Sequence, residues 1–461
     1  MKFVILDVYP KKNHRLIKDT AGGYGTGNSF GGSLFSKLLN VYVDNNIGMP
    51  AIEVMYISSI LKKNHEVYYT RDLNDHNIKE ADFIILPSSI IAHETEIFAL
   101  EKLENKKIFV TGIFANVVRD KYLKENSIVV KNESDTFFFN LDKSRNLNKD
   151  YLNELFKNKH LINEFYSTVS LDDLPFPDWE DYTKNYPLRN NFFSLNEKIA
   201  IPLLGTRGCP YSCFNYCTYP LQQGRKVRAR SVKNIIDEIK YWKKTLGTSK
   251  FVFRDPVFSI NKKHTIEFCE EVIREKLNIK FMVETHLNNL DDEMINLLSL
   301  AGLELVYVGV ESASNLVLKD MKRFTIEHDE QYKIIKKCEE SGIKVKTMFI
   351  IGNPEDTVDT IMQTIEYSKH LPSLYAQFSV FTPYPVTPIY KDYENLITEK
   401  KLENFNQYKL TFKHKNLTEK KIEELKSLAY LKFYFTFSKI FETLKYFIES
   451  KYGKKNKWLG K

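Results

Sequence analysis

Three cysteines, Cys209, Cys213 and Cys217, crowd into nine residues of the segment Gly205-Thr-Arg-Gly-Cys-Pro-Tyr-Ser-Cys-Phe-Asn-Tyr-Cys-Thr-Tyr-Pro220. Thiols this close together bind soft metals or carry redox chemistry. On a helix they would share one face as i, i+4 and i+8, but Gly208 and Pro210 argue for a loop. A structural zinc site takes four ligands, usually as two separated pairs. The remaining cysteines, Cys269 and Cys338, fall mid-helix at apolar-face positions and read as core thiols. A redox CxxC is absent. Three loop thiolates after a strand suit a [4Fe–4S] cluster in which one iron has no protein ligand.

Those thiols need a scaffold, and two strand–helix alternations supply one. From residue 198 the pattern predicts strands at Ile199–Gly205, Phe251–Arg254, Lys280–Glu284, Leu303–Val310, Lys344–Ile351 and Ala376–Phe381. Helical periodicity separates them at Val232–Thr245, Lys262–Lys276, Asp291–Ala301, Ile326–Ser341 and Val358–Lys369, with Gly302 and Gly342 placed as C-caps. Six such units make a partial (β/α)6 TIM-type barrel over residues 198–390, with chemistry at the C-terminal strand ends.

Residues 1–145 alternate in the same way, with strands at Lys2–Tyr9, His65–Asp72, Asp82–Pro87, Lys107–Gly112 and Ser127–Lys131. Amphipathic stretches lie at Pro50–Lys63 and Glu94–Asn105. This predicts a Rossmann-like, doubly wound sheet whose ligand crevice lies beyond the strands' carboxyl ends. A Gly-rich loop from Gly22 to Gly32 sits too far past the first strand for a dinucleotide fingerprint and reads as a flexible or substrate-facing loop rather than a phosphate cradle. Residues 146–197, with Leu171-Asp-Asp-Leu-Pro-Phe-Pro-Asp-Trp179, form a connector, and residues 391–461 a helical extension with a basic tail. The fold class is therefore α/β.

Composition narrows the function. The 461 residues carry a net charge of +8, but five Lys and no acid fall in Lys451–Lys461, and only 12 of the 67 basic residues are Arg. That is a poor footprint for nucleic acid, which favours clustered Arg. Five cysteines exclude a disulfide-stapled secreted scaffold. No stretch reads as a signal peptide or membrane span, so a cytoplasmic protein is expected.

The chain resembles radical S-adenosylmethionine (SAM) enzymes of the subgroup with an N-terminal cobalamin (B12)-binding-type domain, which includes B12-dependent methyltransferases and cyclases. The resemblance runs over roughly residues 1–450. Besides the cysteine loop it rests on Leu171-Asp-Asp-Leu-Pro-Phe-Pro-Asp, Phe253-Arg-Asp-Pro-Val-Phe-Ser, Val308-Gly-Val-Glu-Ser-Ala, Phe349-Ile-Ile-Gly-Asn-Pro-Glu-Asp-Thr and Phe381-Thr-Pro-Tyr-Pro-Val-Thr-Pro. It implies Cys209, Cys213 and Cys217 as cluster ligands, with SAM chelating the remaining iron and being cleaved to a 5′-deoxyadenosyl radical. It also implies Tyr216 near the adenine, Asp255 near the SAM amino group and Glu311 near its ribose or carboxylate. The resemblance likewise implies Gly352, Asn353 and Pro354 along the adenine. Glu284 and His286, around the end of the third strand, join the cofactor-binding set. Ser88, Thr111 and Gly112 mark the strand ends of a cobalamin domain. No residue is assigned as a catalytic acid or base.

Two departures from the family stand out. The spacing is CxxxCxxxC where the family has CxxxCxxC, and His286 stands where relatives commonly carry Arg. The cobalt-ligating DxHxxG pattern is also absent, because Asp7 is followed by six residues and then His14. Many relatives lack that pattern too, so cobalamin is still expected, the alternative being a sheet domain that only shapes the barrel mouth.

Arg225-Lys-Val-Arg-Ala-Arg230 reads either as a solvated lead-in to the following helix or as an anion grip. The aromatic run from Ala429 to Ile448 reads as a helix packed on the barrel or lying on a membrane surface. The expected function is radical SAM methylation of an unactivated carbon. The alternatives are a radical SAM cyclase, oxidase or rearrangement enzyme on a lipid-like or tetrapyrrole-like substrate, and an inactive membrane-associated binding protein. Expected partners are a small-molecule or lipid-like substrate, an external low-potential electron donor and, through the terminal helix and Lys tail, a membrane surface.

Overall fold

Short β-branched runs near the N-terminus are buried on both faces, which suits a parallel sheet sandwiched by helices. The strands are β1 (Lys2–Leu6), β2 (Glu66–Thr70), β3 (Phe83–Pro87), β4 (Lys107–Thr111) and β5 (Ser127–Val129). They pair in parallel in the order β2-β1-β3-β4-β5. That is a doubly wound sheet with its switch point between β1 and β3. Helices α1 (Ile52–Lys62), α2 (His93–Lys102) and α3 (Ser134–Lys143) pack around it. The computed structural model describes residues 1–10, 15–19, 23–28, 50–166, 168–186, 200–436, 439 and 441.

A six-stranded parallel sheet follows, made of β6 (Ala200–Leu203), β7 (Lys250–Phe253), β8 (Lys280–Thr285), β9 (Leu303–Glu311), β10 (Lys344–Ile351) and β11 (Tyr375–Val380). The strands pair in sequence order. Helices α4 (Val232–Leu246), α5 (Lys262–Arg274), α6 (Asp292–Ala301), α7 (His328–Glu340) and α8 (Val358–His370) connect them. The α/β class, the doubly wound sheet and the partial barrel are as expected. Register places Glu284, Tyr307 and Lys346 side by side across β8, β9 and β10. They share the lumen face with Met282 and Leu305.

The connector is not a loose strap. Asp178 N–H donates to the Met55 carbonyl (3.0 Å) and Ser58 Oγ to Asp178 Oδ2 (2.6 Å), tying Pro177–Trp179 along α1. Trp179 is fully buried. Asp172 accepts from the Ser231 N–H at the start of α4 (2.8 Å), so this segment touches both sheets' shells.

A last helix, α9 (Glu419–Tyr434), covers the free edge of β11. The Ala376 N–H donates to Tyr434 Oη (3.1 Å) and the Phe378 N–H to Tyr430 Oη (3.1 Å). Both hydroxyls donate back to the carbonyls of the same residues, at 2.9 and 3.3 Å. The Val380 N–H donates to the Gln407 carbonyl (2.9 Å). Two tyrosines one helical turn apart thus satisfy backbone groups that an edge strand leaves open. This part of the aromatic run packs on the barrel. The rest of it, the Lys tail with Trp458, His14 and Gly31–Gly32 lie outside the described residues. Among the described residues no helix is long and apolar enough to cross a membrane.

Lys426 of α9 is 2% exposed, and its Nζ donates to the Tyr408 carbonyl (2.7 Å). Burial lowers its pKa from 10.5 to about 8. Between those values the unfolded chain holds a proton that the folded chain has released, so stability rises with pH across this window. The wild type should gain on the order of 3 kcal/mol relative to Lys426→Met over the window. Paired denaturation curves at pH 8 and 10.5 measure it.

Candidate cluster and cofactor site

The cysteine loop leaves β6 through a two-residue strand, Thr206–Arg207, which pairs antiparallel with Arg228–Ala229 on the way out. Gly208 turns the chain at φ +94°, where a Cβ would meet the Lys226 carbonyl oxygen at 2.2 Å, so only glycine fits. The Cys209 N–H donates to the Gly224 carbonyl (3.1 Å) and closes the neck. Asp255, just past β7, anchors the loop's start: it accepts from the Gly205 N–H (2.8 Å) and the Thr206 hydroxyl (2.7 Å). Burial raises its carboxyl to about 6 against those hydrogen bonds.

The extra residue in the second gap is absorbed by a 3-10 turn, Ser212–Asn215. The Tyr216 and Cys217 N–H groups both donate to the Cys213 carbonyl, at 3.1 and 2.9 Å. This folding brings Cys217 within hydrogen-bonding reach of Cys213. That contact, aided by the Arg323 guanidinium, brings the Cys213 thiol down to about 7. Burial pushes Cys209 up to about 11, and the Cys213 contact with burial raises Cys217. Among the described residues no three His, Cys, Asp or Glu side chains converge on a single-ion shell. A cubane does not need one, since each cysteine ligates a different iron. Cys269 and Cys338 are buried on α5 and α7 and raised to about 12 by burial.

Around these thiols stand Tyr216, Glu284, Glu311 and Arg323. Tyr216 packs on Phe381 (6.4 Å between centroids), and its hydroxyl is buried without a partner. Glu311 ends β9 at φ +66°, a strained position for a non-glycine residue. Burial raises both carboxyls, Glu284 to about 7, while nearby guanidinium groups oppose the rise. Arg323 donates to the Gly309 carbonyl (2.9 Å) and lies 3.6 Å from Glu311 Oε1. Sequence reasoning missed it: a lone Arg twelve residues past a strand end has no spacing signal. It brings to the mouth the guanidinium that position 286 lacks. His286 itself is committed to backbone, with Nε2 on the Phe324 carbonyl (3.1 Å) and Nδ1 accepting from the Asn288 N–H (3.3 Å). Burial, with Arg323 adding, lowers it to about 4, so it is neutral.

Gly352, Asn353 and Pro354 are buried under α9. A Cβ on Gly352 would meet Ile422 at 2.9 Å, and the Asn353 carbonyl accepts from or faces His414 Nε2 at 2.7 Å. Asn353 Oδ1 is buried without a partner. In the sheet domain, Ser88 Oγ donates to the Thr111 carbonyl (2.7 Å) and accepts from the Ala115 N–H (2.9 Å). Gly112 presses so close that a Cβ would sit 2.7 Å from the Ser88 carbonyl oxygen. The switch point between β1 and β3 is filled by Lys18, 1% exposed, whose Nζ reaches Asp7 and Glu96 (2.9 Å each) and the Pro87 carbonyl (3.0 Å). The described glycines of the Gly-rich loop, Gly23 to Gly27, belong to a hairpin of Arg15–Ile17 with Thr26–Asn28, and Ile90 N–H donates to the Tyr24 carbonyl (2.9 Å).

The basic run after the loop is neither a solvated lead-in nor a free anion grip. Arg228 pairs with Glu133 at the start of α3, and Arg230 with Glu238 (2.5 Å). Arg207 reaches the same region, at 2.5 Å from Asp135 and 3.1 Å from Glu133. The Arg207 and Arg228 pairs clamp the cysteine loop to the sheet domain.

Residues 203–368 match the Radical SAM superfamily. The chain carries a radical SAM domain. Over 234 residues it is 30% identical to an uncharacterised methyltransferase of Pyrococcus horikoshii, covering 50% of each chain. Over 369 residues it is 27% identical to the anaerobic magnesium-protoporphyrin IX monomethyl ester cyclase of Cereibacter sphaeroides, covering 76% of this chain and 58% of that one. The chain thus spans about half the length of these curated relatives. A solved structure of the cobalamin-dependent SAM radical enzyme OxsB aligns over 96% of this chain and 70% of its own, with a TM-score of 0.65 and 14% identity. At that identity the likeness speaks for the fold, which extends beyond the radical SAM domain to the N-terminal sheet.

Proposed function

We propose that this protein is a radical SAM enzyme that methylates an unactivated carbon of a small molecule with the help of cobalamin. The observation that carries the reading is the placement of Cys209, Cys213 and Cys217 on one loop just past β6, inside the matched domain. When bound, a [4Fe–4S] cluster with SAM supplies a 5′-deoxyadenosyl radical, and cobalamin supplies a transferable methyl group. The three cysteines would hold the cluster. Tyr216, with its uncommitted buried hydroxyl, and the Glu284, Glu311 and Arg323 side chains would receive SAM's polar groups. Asp255 and His286 act one step back, fixing the loop and the wall behind it. The row of Glu284, Tyr307 and Lys346 lines the lumen where substrate would lie, and Gln377 and Ser379 extend that wall on β11.

Cobalamin is supported by the relatives' methyltransferase names and by the OxsB likeness. Because Lys18 fills the switch point, its place would be the cleft between the sheet domain and the barrel. An external low-potential electron donor completes the set of partners. Leu431, Phe435 and Phe441 are exposed on and beyond α9, which supports contact with a lipid surface and a lipid-like substrate.

Anaerobic reconstitution with iron, sulfide, cobalamin and reductant, followed by SAM and candidate substrates, tests the reading. Methyl transfer yields both 5′-deoxyadenosine and S-adenosylhomocysteine. The cyclase-type alternative yields 5′-deoxyadenosine alone. A protein without cluster absorbance or SAM cleavage is not an enzyme of this class.

A further inference from the structure

A narrow cleft separates the hairpin, α1 and α3 of the sheet domain from the barrel mouth. Among the described residues its walls include Glu53, Arg207, Tyr219, Gln222, Gln223 and Arg254. Most of the charge there is already committed. Arg254 donates to Asp19 (2.7 Å), Arg207 is held by Asp135 and Glu133, and Lys18 turns away to Asp7 and Glu96. What remains is hydrogen-bonding capacity that no side chain uses. Glu53 Oε1 and the Arg207 Nε–H are both buried without partners. Glu53 is 7% exposed, and its other oxygen receives only a long contact from Gln222 Nε2 (3.4 Å).

Buried orphans of this kind are costly unless a ligand satisfies them. A carboxylate or phosphate in the cleft would face Asp19, Glu133 and Asp135. An apolar group would leave both orphans unpaired. A neutral group that donates and accepts meets neither penalty. We infer that the cleft takes the uncharged, primary-amide-bearing edge of a ligand, with Glu53 and the Arg207 Nε–H as its hydrogen-bond partners. Glu53 can play that part because burial, with Asp135 adding, raises its carboxyl to about 8, so at neutral pH it is an acid with one donor and one acceptor face. The inference rests on the cobalamin proposal, since the rim of a corrin carries primary amides.

The test is uptake of hydroxocobalamin, and of its monocarboxylic acids in which one amide is hydrolysed, by the full chain. Wild type should bind hydroxocobalamin and discriminate against at least one monoacid. Glu53→Gln, which keeps a donor and an acceptor, should bind within about twofold of wild type, and Glu53→Ala on the order of tenfold more weakly. Glu53→Ala should also lose the discrimination. Equal binding of all derivatives by wild type, or unchanged binding by Glu53→Ala, overturns the inference and leaves cobalamin in place. No uptake by wild type removes the cobalamin proposal and the inference together. Should Glu53→Ala fail to fold, the derivative series on wild type still decides.

Discussion

Cys213→Ala should abolish the iron–sulfur absorbance of the anaerobically reconstituted protein and reduce SAM cleavage to background. Cys213 is the middle thiol of the loop, and contact with Cys217, aided by the Arg323 guanidinium, lowers it. Its two companions cannot hold a cubane alone, and the remaining thiols cannot replace it. Cys269 and Cys338 are 0% and 1% exposed on helix faces turned into the core. Cys338→Ala is therefore the control, and it should keep both absorbance and cleavage. A cluster retained at full stoichiometry in Cys213→Ala would show that the 3-10 turn presents some other donor.

The second large effect concerns stability. Asp135→Ala should cost about 3 kcal/mol, because it removes the nearer of the two carboxylates on the buried Arg207 guanidinium and leaves Arg207 to share Glu133 with Arg228. Asp135 is fully buried and Arg207 is 5% exposed, so water can do little to replace the lost partner. Glu133 cannot take over the pairing, since it already serves Arg228 as well as Arg207. Removing both partners, as Asp135→Ala with Arg207→Ala, should recover part of the loss, because no charge is then left buried alone. Urea denaturation of the two single variants and the double variant measures all three values. Equal losses for the double variant and the sum of the singles would mean the pair is not coupled.

How much of this was legible in the sequence depended on periodicity. β10 was read to the residue, because Lys344–Ile351 alternates half-buried and buried side chains without a break. The C-caps at Gly302 and Gly342 were legible for a similar local reason: both take positive φ, which glycine tolerates. The hairpin of Arg15–Ile17 with Thr26–Asn28 was not legible, since two three-residue strands have no pattern to detect. At the site, the cysteines and the strand-end carboxyls were visible as positions, but not as orientations. Asp255 stands where it was expected, yet both its oxygens turn back to Gly205 and Thr206. The basic run Arg225–Arg230 was conspicuous, whereas the Arg228 partner, Glu133, lies 95 positions away and carries no local signal. Long-range pairing of this kind is set by how two domains dock, which no window of sequence records.

The two tyrosines on the edge of β11 bear on how a bulky molecule could reach the lumen. A seventh strand would have sealed that flank with a continuous backbone ladder, and opening it would mean unzipping every rung. Here the flank is held at Ala376 and Phe378 by phenol groups on a single helix. Swinging that helix outward breaks side-chain contacts and leaves the six-stranded wall intact. The flank of the barrel is therefore closed by the side chains of one helix packed into the core, and not by a further strand.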